Sequence, residues 1–334
     1  MGAAESIPAA APAAEASLQC AAEAERRILR RRRAICRAMV ALAHVLLAAL
    51  VVLVLLPGRR SVATSVPFLV AIGIIEVLYA ASLLRRGADR AAVSWVVIIV
   101  WGILFAWELV STKLGIANPV LFPAPEAVFN VFPTQWETLL VNLGASLQLL
   151  LMGAVTAIAA GVVLGAVCGW SQGLQSVFAP IARVLAPIPS VVFAPYIILL
   201  MPTFRLASAT IIFLGIFWPT FLNTIIRVTT MDRRIVESAR MLGLSSFEMV
   251  KDVILPYLVP GVLNGLNGQL TAAITMLTFA EMLGASSGLG YYIINYTNFA
   301  NYVNVIAGIM MVALLVTVLN GLINLVKRYG IKWR

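Results

Sequence analysis

The side chains that carry most enzyme chemistry are scarce in this chain and lie where catalysis is not expected. The one histidine, His44, lies in the middle of an uninterrupted apolar run, so a Ser-His-Asp relay would have to operate inside that run. Cys20, Cys36 and Cys168 have neither the even number nor the short spacing of a disulfide framework or a zinc site. No lysine lies in a Gly-x4-Gly-Lys-[Ser/Thr] sequence, so a phosphate-binding loop of that type is absent. These residues predict neither a catalytic centre nor a metal site.

The composition indicates a membrane protein. Of the 334 residues, 61% are apolar and 11% are charged, and the mean hydropathy is +0.97. Soluble domains contain about 45–50% apolar and about 25% charged residues. The difference excludes a soluble enzyme, a disordered scaffold and a nucleic-acid-binding protein, and it makes membrane lipid the main solvent of the chain. The net charge of +10 is first explained by the orientation of the chain in the membrane, because basic residues of membrane proteins gather on the cytoplasmic side. It does not by itself indicate an acidic partner.

Eight stretches are long and apolar enough to cross a bilayer, since about 20 apolar residues in a helix span its hydrocarbon core. The sequence predicts these spans at 38–56, 62–84, 92–110, 139–170, 177–201, 206–227, 256–283 and 302–326. The fifth contains four prolines, and it could instead begin as a cytoplasmic loop or as a short helix along the membrane surface. The predicted fold is therefore all-α and integral to the membrane, with about eight spans.

The basic residues give these spans a direction. With both termini in the cytoplasm, twenty of the 24 basic residues lie on the cytoplasmic side and four lie outside, as the positive-inside rule requires. Arg59 and Arg60, in the first hairpin loop, are on the wrong side. The predicted segments are a cytoplasmic Ala/Arg-rich tail of low complexity (1–37), a transmembrane hairpin (38–91), and a transmembrane domain (92–334) with a cytoplasmic loop (228–256).

The pattern of the cytoplasmic loop predicts two short helices joined at a glycine, and on the pattern alone an amphipathic loop that only packs under its own helix bundle is an equal alternative to a functional role. Apolar residues of the first helix recur at i, i+4 and i+7: Ile235, Ala239 and Leu242. Gly243 suits the position after a helix where the backbone turns left-handed. Ser245 and Glu248 have the spacing of a capping box for the second helix. Four apolar residues of that helix are expected to face the membrane before Pro256 begins the next span: Phe247, Val250, Val253 and Ile254.

The same segment resembles the EAA loop of bacterial ABC-importer permeases. That loop reads Glu-Ala-Ala, three residues, Gly, nine residues and Ile-x-Leu-Pro. The matching positions here are Glu237, Ser238, Ala239, Gly243, Leu255 and Pro256. Ser238 replaces an alanine of the pattern, and Val253 replaces the isoleucine. In that family the loop forms coupling helices that dock in a groove of a separate ATPase subunit, and the resemblance implies this role for these six residues.

The resemblance covers roughly residues 93–334 and extends to one branch of the family, the permeases for sulfonates, taurine, nitrate, thiamine precursors and aromatic acids. The motifs that carry it are Leu121-Phe-Pro-Ala-Pro125, Ile188-Pro189, Asn223-Thr224, Ala280-Glu281 and Gly288-Leu-Gly-Tyr291. It implies a six-helix type I importer core, to which the first two helices are an addition. Asn267 and Ile274 stand where many relatives have arginine and tryptophan, so the substrate is left open among these classes.

The resemblance also implies partners. These are ABC ATPase subunits at the loop, a periplasmic or lipid-anchored substrate-binding protein at the outer face, and a second copy of the permease in a homodimer. ATP and Mg would bind to the ATPase, and no cofactor would bind to this chain. The implied function is the non-enzymatic permease subunit of an importer for a small organic anion, working by alternating access in the bacterial inner membrane. A stand-alone carrier or channel is the alternative, but the sequence has neither an internal repeat nor paired ionisable residues at mid-bilayer.

Polar residues in the spans suggest a translocation path. Five of them form one helical stripe in the seventh span, and a sixth residue, in the sixth span, could meet them: Asn264, Asn267, Thr271, Thr275, Thr278 and Asn223. Polar side chains are costly in lipid and face the bundle or a water-filled path. Hydrogen bonding between helices is an equal alternative.

Small residues in the fourth span suggest close packing. They recur at every fourth position: Gly153, Ala157, Gly161, Gly165 and Gly169. This spacing is typical of helices whose backbones approach closely in a membrane.

Three acidic residues lie in spans or near their ends. Glu108 and Glu281 are near predicted outer ends, where solvation at the interface is expected to stabilise them. Glu76 is well inside the second span, and Arg85 or Arg86 is its expected partner. None of the three is predicted to act in transport.

Overall fold

The computed structural model describes residues 11–60, 64–84 and 90–330, and within these ranges the chain forms helices and no strands. The helices are α1 (Ala11–Leu55), α2 (Val66–Leu84), α3 (Arg90–Glu108), α4 (Pro125–Thr134), α5 (Trp136–Trp170), α6 (Gln172–Leu185), α7 (Ala194–Leu200), α8 (Phe204–Thr229), α9 (Arg233–Met241), α10 (Ser246–Glu248), α11 (Leu255–Met282), α12 (Leu289–Asn298) and α13 (Tyr302–Gly330). Wider π turns follow α3 and α10, at Leu109–Lys113 and Met249–Ile254, and a 3-10 turn precedes α7 at Ser190–Phe193.

The chain forms two compact units, which divide between Asn130 and Val131. This division lies further along the chain than the predicted boundary between the hairpin and the transmembrane domain at 91/92, which stays a prediction. The first unit contains α1, α2 and α3 around a core that includes Leu50, Phe68 and Trp101. The second unit contains the helices from α5 onward.

Seven of the described helical segments are long and apolar enough to cross a membrane. They are Ala34–Leu55, Val66–Leu84, Arg90–Lys113, Trp136–Trp170, Phe204–Thr229, Ser246–Met282 and Tyr302–Arg328. These segments confirm seven of the eight predicted spans to within a few residues, except that the segment containing α11 begins about ten residues earlier than predicted.

The predicted fifth span at 177–201 is wrong as a single helix. The segments Gln172–Leu185 and Ser190–Leu200 meet at an angle of 84°. Pro187 and Pro189 lie in the bend, where proline lacks the N–H of a helical hydrogen bond and disfavours helix in the residue before it. The expected short helix at the start of this region corresponds to α6.

The bent segment nevertheless crosses the second unit from one end to the other, because α5 and α8 run parallel. Their close contacts are Gly153 with Ile212, Gly161 with Thr220, Gly165 with Thr224, and Gly169 with Val228. The residue numbers increase together along both helices, so the connection between them must return the chain to the end at which α5 began. The bent pair then counts as one broken span, which gives the eight spans expected from the sequence.

The Ala/Arg-rich segment is helical from Ala11, and α1 continues through it into the first span. The sequence indicated a tail of low complexity there, since its first 25 residues have no apolar stripe. Alanine, glutamate and arginine are strong helix formers without such a stripe, which accounts for the helical backbone. Residues 1–10 of the predicted tail lie outside the described residues.

The two arginines on the wrong side have a structural explanation within the first unit. Arg59 donates to the carbonyl oxygen of Leu114 at 3.3 Å, and Arg60 donates to the carbonyl oxygens of Ala117 and Phe122. Both side chains thus hold the loop after the third span. Glu76 lies 3.2 Å from His44 Nε2, so its partner is His44. The predicted partners, Arg85 and Arg86, lie outside the described residues.

The expectation of solvated acidic residues at the outer ends is wrong for both. Glu108 is fully buried, with Lys113 Nζ at 3.1 Å and the Thr112 hydroxyl at 3.0 Å. Glu281 is also buried, within the second unit. In each case neighbouring donors replace the water that the sequence argument assigned to the carboxylate.

Candidate coupling site and translocation path

The segment between α8 and α11, residues 230–254, forms a helical hairpin at one end of the second unit. The Asp232 carboxylate accepts a hydrogen bond from the N–H of Arg234 at 2.9 Å and begins α9. Gly243 follows α9 with a φ of +72°, which confirms the left-handed glycine predicted there. L-residues with a Cβ rarely adopt this conformation, so glycine permits the sharp turn between the two arms.

The second arm begins with the predicted capping box. The N–H of Ser245 donates to Glu248 Oε2 at 2.8 Å, and the N–H of Glu248 donates to Ser245 Oγ at 3.4 Å. The arm then continues through the π turn into α11 without a break. Pro256 lies about ten residues inside this continuous helical segment, directly after the π turn, where the change in hydrogen-bond pattern accommodates the missing N–H. The second arm and the seventh span therefore form one continuous lever.

One side of the hairpin is fixed to the ends of α5, α8 and α11. Its buried members and their neighbours are Ala239, Met249, Ile254, Ala166, Val228 and Leu258. The guanidinium of Arg240 lies 5.6 Å from the centre of the Trp170 ring, at the end of α5. A cation above an aromatic face is attracted to it, so this pair adds a polar anchor to the apolar one.

The other side of the hairpin is apolar and uncovered. Met241 is 89% exposed, Leu242 is 78% exposed and Phe247 is 75% exposed. The predicted stripe therefore divides, since Ala239 faces inward and Leu242 outward. Phe247 is exposed, whereas Val250 and Val253 are half-buried and Ile254 is buried, so these four residues do not share one face; that they face the membrane stays a prediction. In the π turn the hydrogen bonds run from i to i+5, so residues three and seven apart no longer share one face.

Four predicted loop residues remain, and three of them are exposed. Glu237, Ser238 and Pro256 are exposed, and Leu255 is half-buried. Glu237 has no hydrogen bond or ion pair with any other described residue. Its carboxylate is free on the hairpin surface, one helical turn before Met241.

The predicted polar stripe of α11 lies partly against α13. Asn267 Nδ2 donates to Asn320 Oδ1 at 2.9 Å, and Lys327 Nζ donates to Asn267 Oδ1 and to the carbonyl oxygen of Asn264. These bonds agree with the packing alternative for the two asparagines. Asn223 is exposed on α8, and among the described contacts nothing joins it to the stripe.

The three threonines of the stripe have a different environment. The hydroxyls of Thr271, Thr275 and Thr278 donate to carbonyl oxygens of their own helix at 2.8–3.1 Å. Together with Val312 and Val316 of α13 they line a groove of about 300 Å³. Because the hydroxyls are already bonded, the groove presents mainly methyl groups and hydroxyl lone pairs.

A buried polar cluster lies at the end of the unit opposite the hairpin, and it was not predicted from the sequence. Glu281 accepts hydrogen bonds from Ser146 Oγ and from the N–H of Gly290, both at 2.7 Å. Asn142 Oδ1 accepts from the N–H of Gly288, whose φ is +123°. A Cβ at Gly288 would lie 2.3 Å from the carboxyl carbon of Glu281. The cluster ties the start of α12 to α5 and α11, and Ala280-Glu281 with Gly288-Leu-Gly-Tyr291 is its sequence signal.

Comparison with known protein families decides the class of the chain. Residues 161–329 match the model of the binding-protein-dependent transport system inner membrane component. This match covers half of the chain and contains the hairpin and α11. The chain belongs to this family. It is a multi-pass permease subunit of an ABC importer in the inner membrane, and it depends on a separate ATPase for ATP hydrolysis and on a substrate-binding protein.

Curated relatives of this permease cover most of its length. A protein of Bacillus subtilis strain 168, named as the aliphatic sulfonates transport permease SsuC, is 26% identical over 76% of this chain and 93% of its own. The taurine transport system permease TauC of Escherichia coli K12 is 26% identical over 64% of this chain and 80% of its own. The nitrate import permease NrtB of Leptolyngbya laminosa is 26% identical over 73% of this chain and 87% of its own. These names agree with the branch indicated by the sequence motifs.

Proposed function

We propose that this permease imports a small organic sulfonate such as taurine, and that residues 228–256 couple it to its ATPase. A homodimer with both termini in the cytoplasm would place the hairpin beside the ATPase, which binds ATP and Mg. A periplasmic or lipid-anchored binding protein would deliver substrate at the opposite end. Alternating access then follows ATP-driven closure of the ATPase pair. Nitrate, a thiamine precursor and an aromatic carboxylate are the alternative substrates.

The exposed apolar side of the hairpin is the observation that carries the coupling role. Met241, Leu242 and Phe247 lie at the end of a segment that is otherwise anchored to the helix bundle. An apolar helical surface of this kind suits a groove on a protein partner. Glu237 and Ser238 lie next to it and would supply polar contacts at its rim.

The hairpin is also built to transmit a force. Its second arm is continuous with α11 through the π turn, and its first arm is held to α5 by Arg240 and Trp170. A push on the exposed side would therefore move two spans together. A floppy loop in the same place would absorb the motion of the ATPase.

The proposed path follows the polar stripe. Thr271, Thr275 and Thr278 would line it with weakly polar groups, and Asn223, Asn264 and Asn267 would lie nearer its cytoplasmic end. The threonine hydroxyl hydrogens are used by carbonyl oxygens of α11, so the lining gives an anion a weakly polar surface and does not hold it by charge. Such a lining suits a substrate that must leave as readily as it enters.

The substrate class rests on the names of the relatives. Sulfonates, taurine and nitrate share a small oxyanion group, and the three named permeases have similar identity to this chain. A sulfonate is proposed because two of the three names refer to this chemistry.

A reconstituted complex tests the proposal. The permease would be purified from native membranes with its ATPase, placed in liposomes, and supplied with its binding protein and with taurine, nitrate, a thiamine precursor or an aromatic carboxylate in turn. We expect ATP-dependent uptake of taurine or another sulfonate. ATP-dependent uptake of nitrate, the thiamine precursor or the aromatic carboxylate instead would show that the sulfonate proposal is wrong. Uptake without ATP would overturn the importer mechanism in favour of a stand-alone carrier.

A further inference from the structure

We infer that the end of the second unit opposite the hairpin contains an oxyanion-binding pocket, centred on Arg205, that receives the anionic group of the substrate. This inference rests on the proposed function, because it assigns a first contact for the same substrate. The pocket lies between α5, the start of α8 and the loop after α11. Its volume is about 400 Å³, within the range of small-ligand pockets and large enough for a taurine-sized molecule.

Arg205 supplies the positive charge of the pocket. Its guanidinium donates to Gln148 Oε1, a neutral amide oxygen, and it has no acidic partner among the described residues. The amide orients the guanidinium without neutralising it. A planar guanidinium matches the geometry of two oxygens of a sulfonate, nitrate or carboxylate. The carboxylate of Glu281, the buried acid near this end, is already bonded to Ser146 and Gly290.

An unpartnered hydroxyl is the second observation that points to a ligand. Ser208 is fully buried and lines the pocket, and its Oγ has no hydrogen-bond partner in the structure. A buried hydroxyl without a partner is costly, and rotation of the Ser208 side chain toward the pocket would let an oxyanion satisfy it. Ser286 and Ser287 line the opposite wall with two further hydroxyls.

The start of α8 adds a favourable field. Arg205 and Ser208 lie in the first turns of this 26-residue helix, whose N-terminal end carries a partial positive charge. Thr203 caps the N–H of Leu206 at 3.3 Å and thereby holds the helix start beside the pocket. The pocket therefore combines a cation, a helix N-terminus and a free hydroxyl, with no acidic residue in its lining.

The contrast with the other outer-side arginines supports this assignment. Arg59 and Arg60 donate to backbone carbonyl oxygens of their own unit. Arg60 uses both of its terminal nitrogens in this way, and Arg59 uses one. Arg205 is exposed and makes one such bond, as Arg59 does, but its acceptor is a side-chain amide and its side chain lines a cavity, with most of its five N–H donors available.

Chemical modification of arginine tests the pocket without relying on transport. The purified complex would be treated with phenylglyoxal, and labelling of Arg205 would be measured by peptide mass spectrometry with Arg59 as the internal control. We expect taurine, methanesulfonate or nitrate to reduce the labelling of Arg205 saturably and to leave Arg59 unchanged. The Ser208→Val variant should need more anion for the same protection. Chloride at equal ionic strength should protect much less.

Three results would overturn the inference. These are equal labelling of Arg205 with and without the oxyanions, equal protection by chloride, and protection by the unliganded binding protein alone, which would make Arg205 a contact for a protein partner. Failure of the pocket and failure of the proposed function can be told apart. The same preparation shows separately whether Arg205 is protected and whether the ATPase is bound. Loss of the ATPase with protection intact would contradict the coupling role and leave the pocket standing.

A transport measurement gives the size of the effect. Arg205→Gln should raise the KM for uptake at least about tenfold, since a hydrogen bond to a charged group contributes at least about that factor. Arg205→Lys should retain part of the affinity, and Arg59→Gln should transport normally. Normal transport by Arg205→Gln in the presence of a bound, active ATPase would rule out a role for the pocket in import.

Discussion

Glycine has opposite uses in two regions of the second unit, the α5–α8 contact and the hairpin. In the contact, a Cβ at Gly165 would lie 2.7 Å from the Thr224 Cβ and 2.9 Å from the Phe221 carbonyl oxygen, so glycine is needed for space. At Gly243 no atom lies within 4 Å of the added Cβ, and the φ of +72° is what requires glycine. The first region is a closed joint between two spans, and the second is an open turn that leaves an apolar side free for a partner.

The largest effect is expected from filling the closed joint. Gly165→Leu would force α5 away from α8, because a backbone carbonyl blocks the side chain and cannot rotate aside. Overpacking of this kind costs about 1–3 kcal/mol or more. We expect a large fall in the yield of folded permease and in its Tm in detergent. Gly144→Leu is the matched control. Gly144 lies on the same helix, and a Cβ added there would have no atom within 4 Å. If the two variants were equally stable, glycine would not be needed for space at the α5–α8 contact, and the difference between this contact and the hairpin would be contradicted.

A smaller effect is expected from the open turn. Gly243→Ala should cost about 1–2 kcal/mol through the left-handed backbone alone, and Gly243→Asn should cost less because asparagine tolerates that conformation. The cost acts on the hairpin, so ATPase activity stimulated by the loaded binding protein should fall while the Tm of the transmembrane helices stays the same. An unchanged rate in Gly243→Ala would show that the turn does not need its glycine. An equal loss in the alanine and asparagine variants would show that the left-handed backbone is not the cause of the loss.

The smallest effect is expected from the capping box. Ser245→Ala removes the hydroxyl that accepts the N–H of Glu248, and loss of such a cap costs about 1 kcal/mol. Amide hydrogen exchange in peptides that cover 245–250 should accelerate by less than about tenfold. Ser246→Ala, one position along and exposed, is the control and should exchange like the wild type. Equal exchange in the two variants would mean that the box does not hold the second arm.

Local features of both regions could be predicted from the sequence. The every-fourth spacing from Gly153 to Gly169 gave the close contact, and Gly243 with Ser245 and Glu248 gave the turn and the cap. These signals depend on neighbouring residues of one helix or turn, where backbone sterics dominate. Hydropathy likewise predicted seven of the eight spans correctly as single helices. The length of a span depends on the thickness of the bilayer and not on the helices that pack against it.

Features that depend on distant partners could not be predicted. The partner of the Gly153–Gly169 face is α8, and the parallel direction of the two helices depends on the bent segment at 172–200. The burial of Glu281 depends on Ser146, which is 135 positions away. The division of Phe247 and Ile254 between an exposed and a buried face could not be predicted, because the π turn between them changes the phase of the helix. The pocket at Arg205 likewise combines residues from α5, α8 and the loop after α11.

The central claim is that the open side of the hairpin holds the ATPase, and co-purification tests it most directly. Leu242→Asp combined with Phe247→Asp would place two charges on the apolar side. Gln172→Asp combined with Ser176→Asp would place two on the exposed face of α6. Each permease would be purified gently from native membranes, and bound ATPase would be counted by mass spectrometry. We predict stoichiometric ATPase with the wild type and the α6 variant, and its loss from the hairpin variant at unchanged permease yield. ATPase retained by the hairpin variant, or absent from the wild type, would contradict the account.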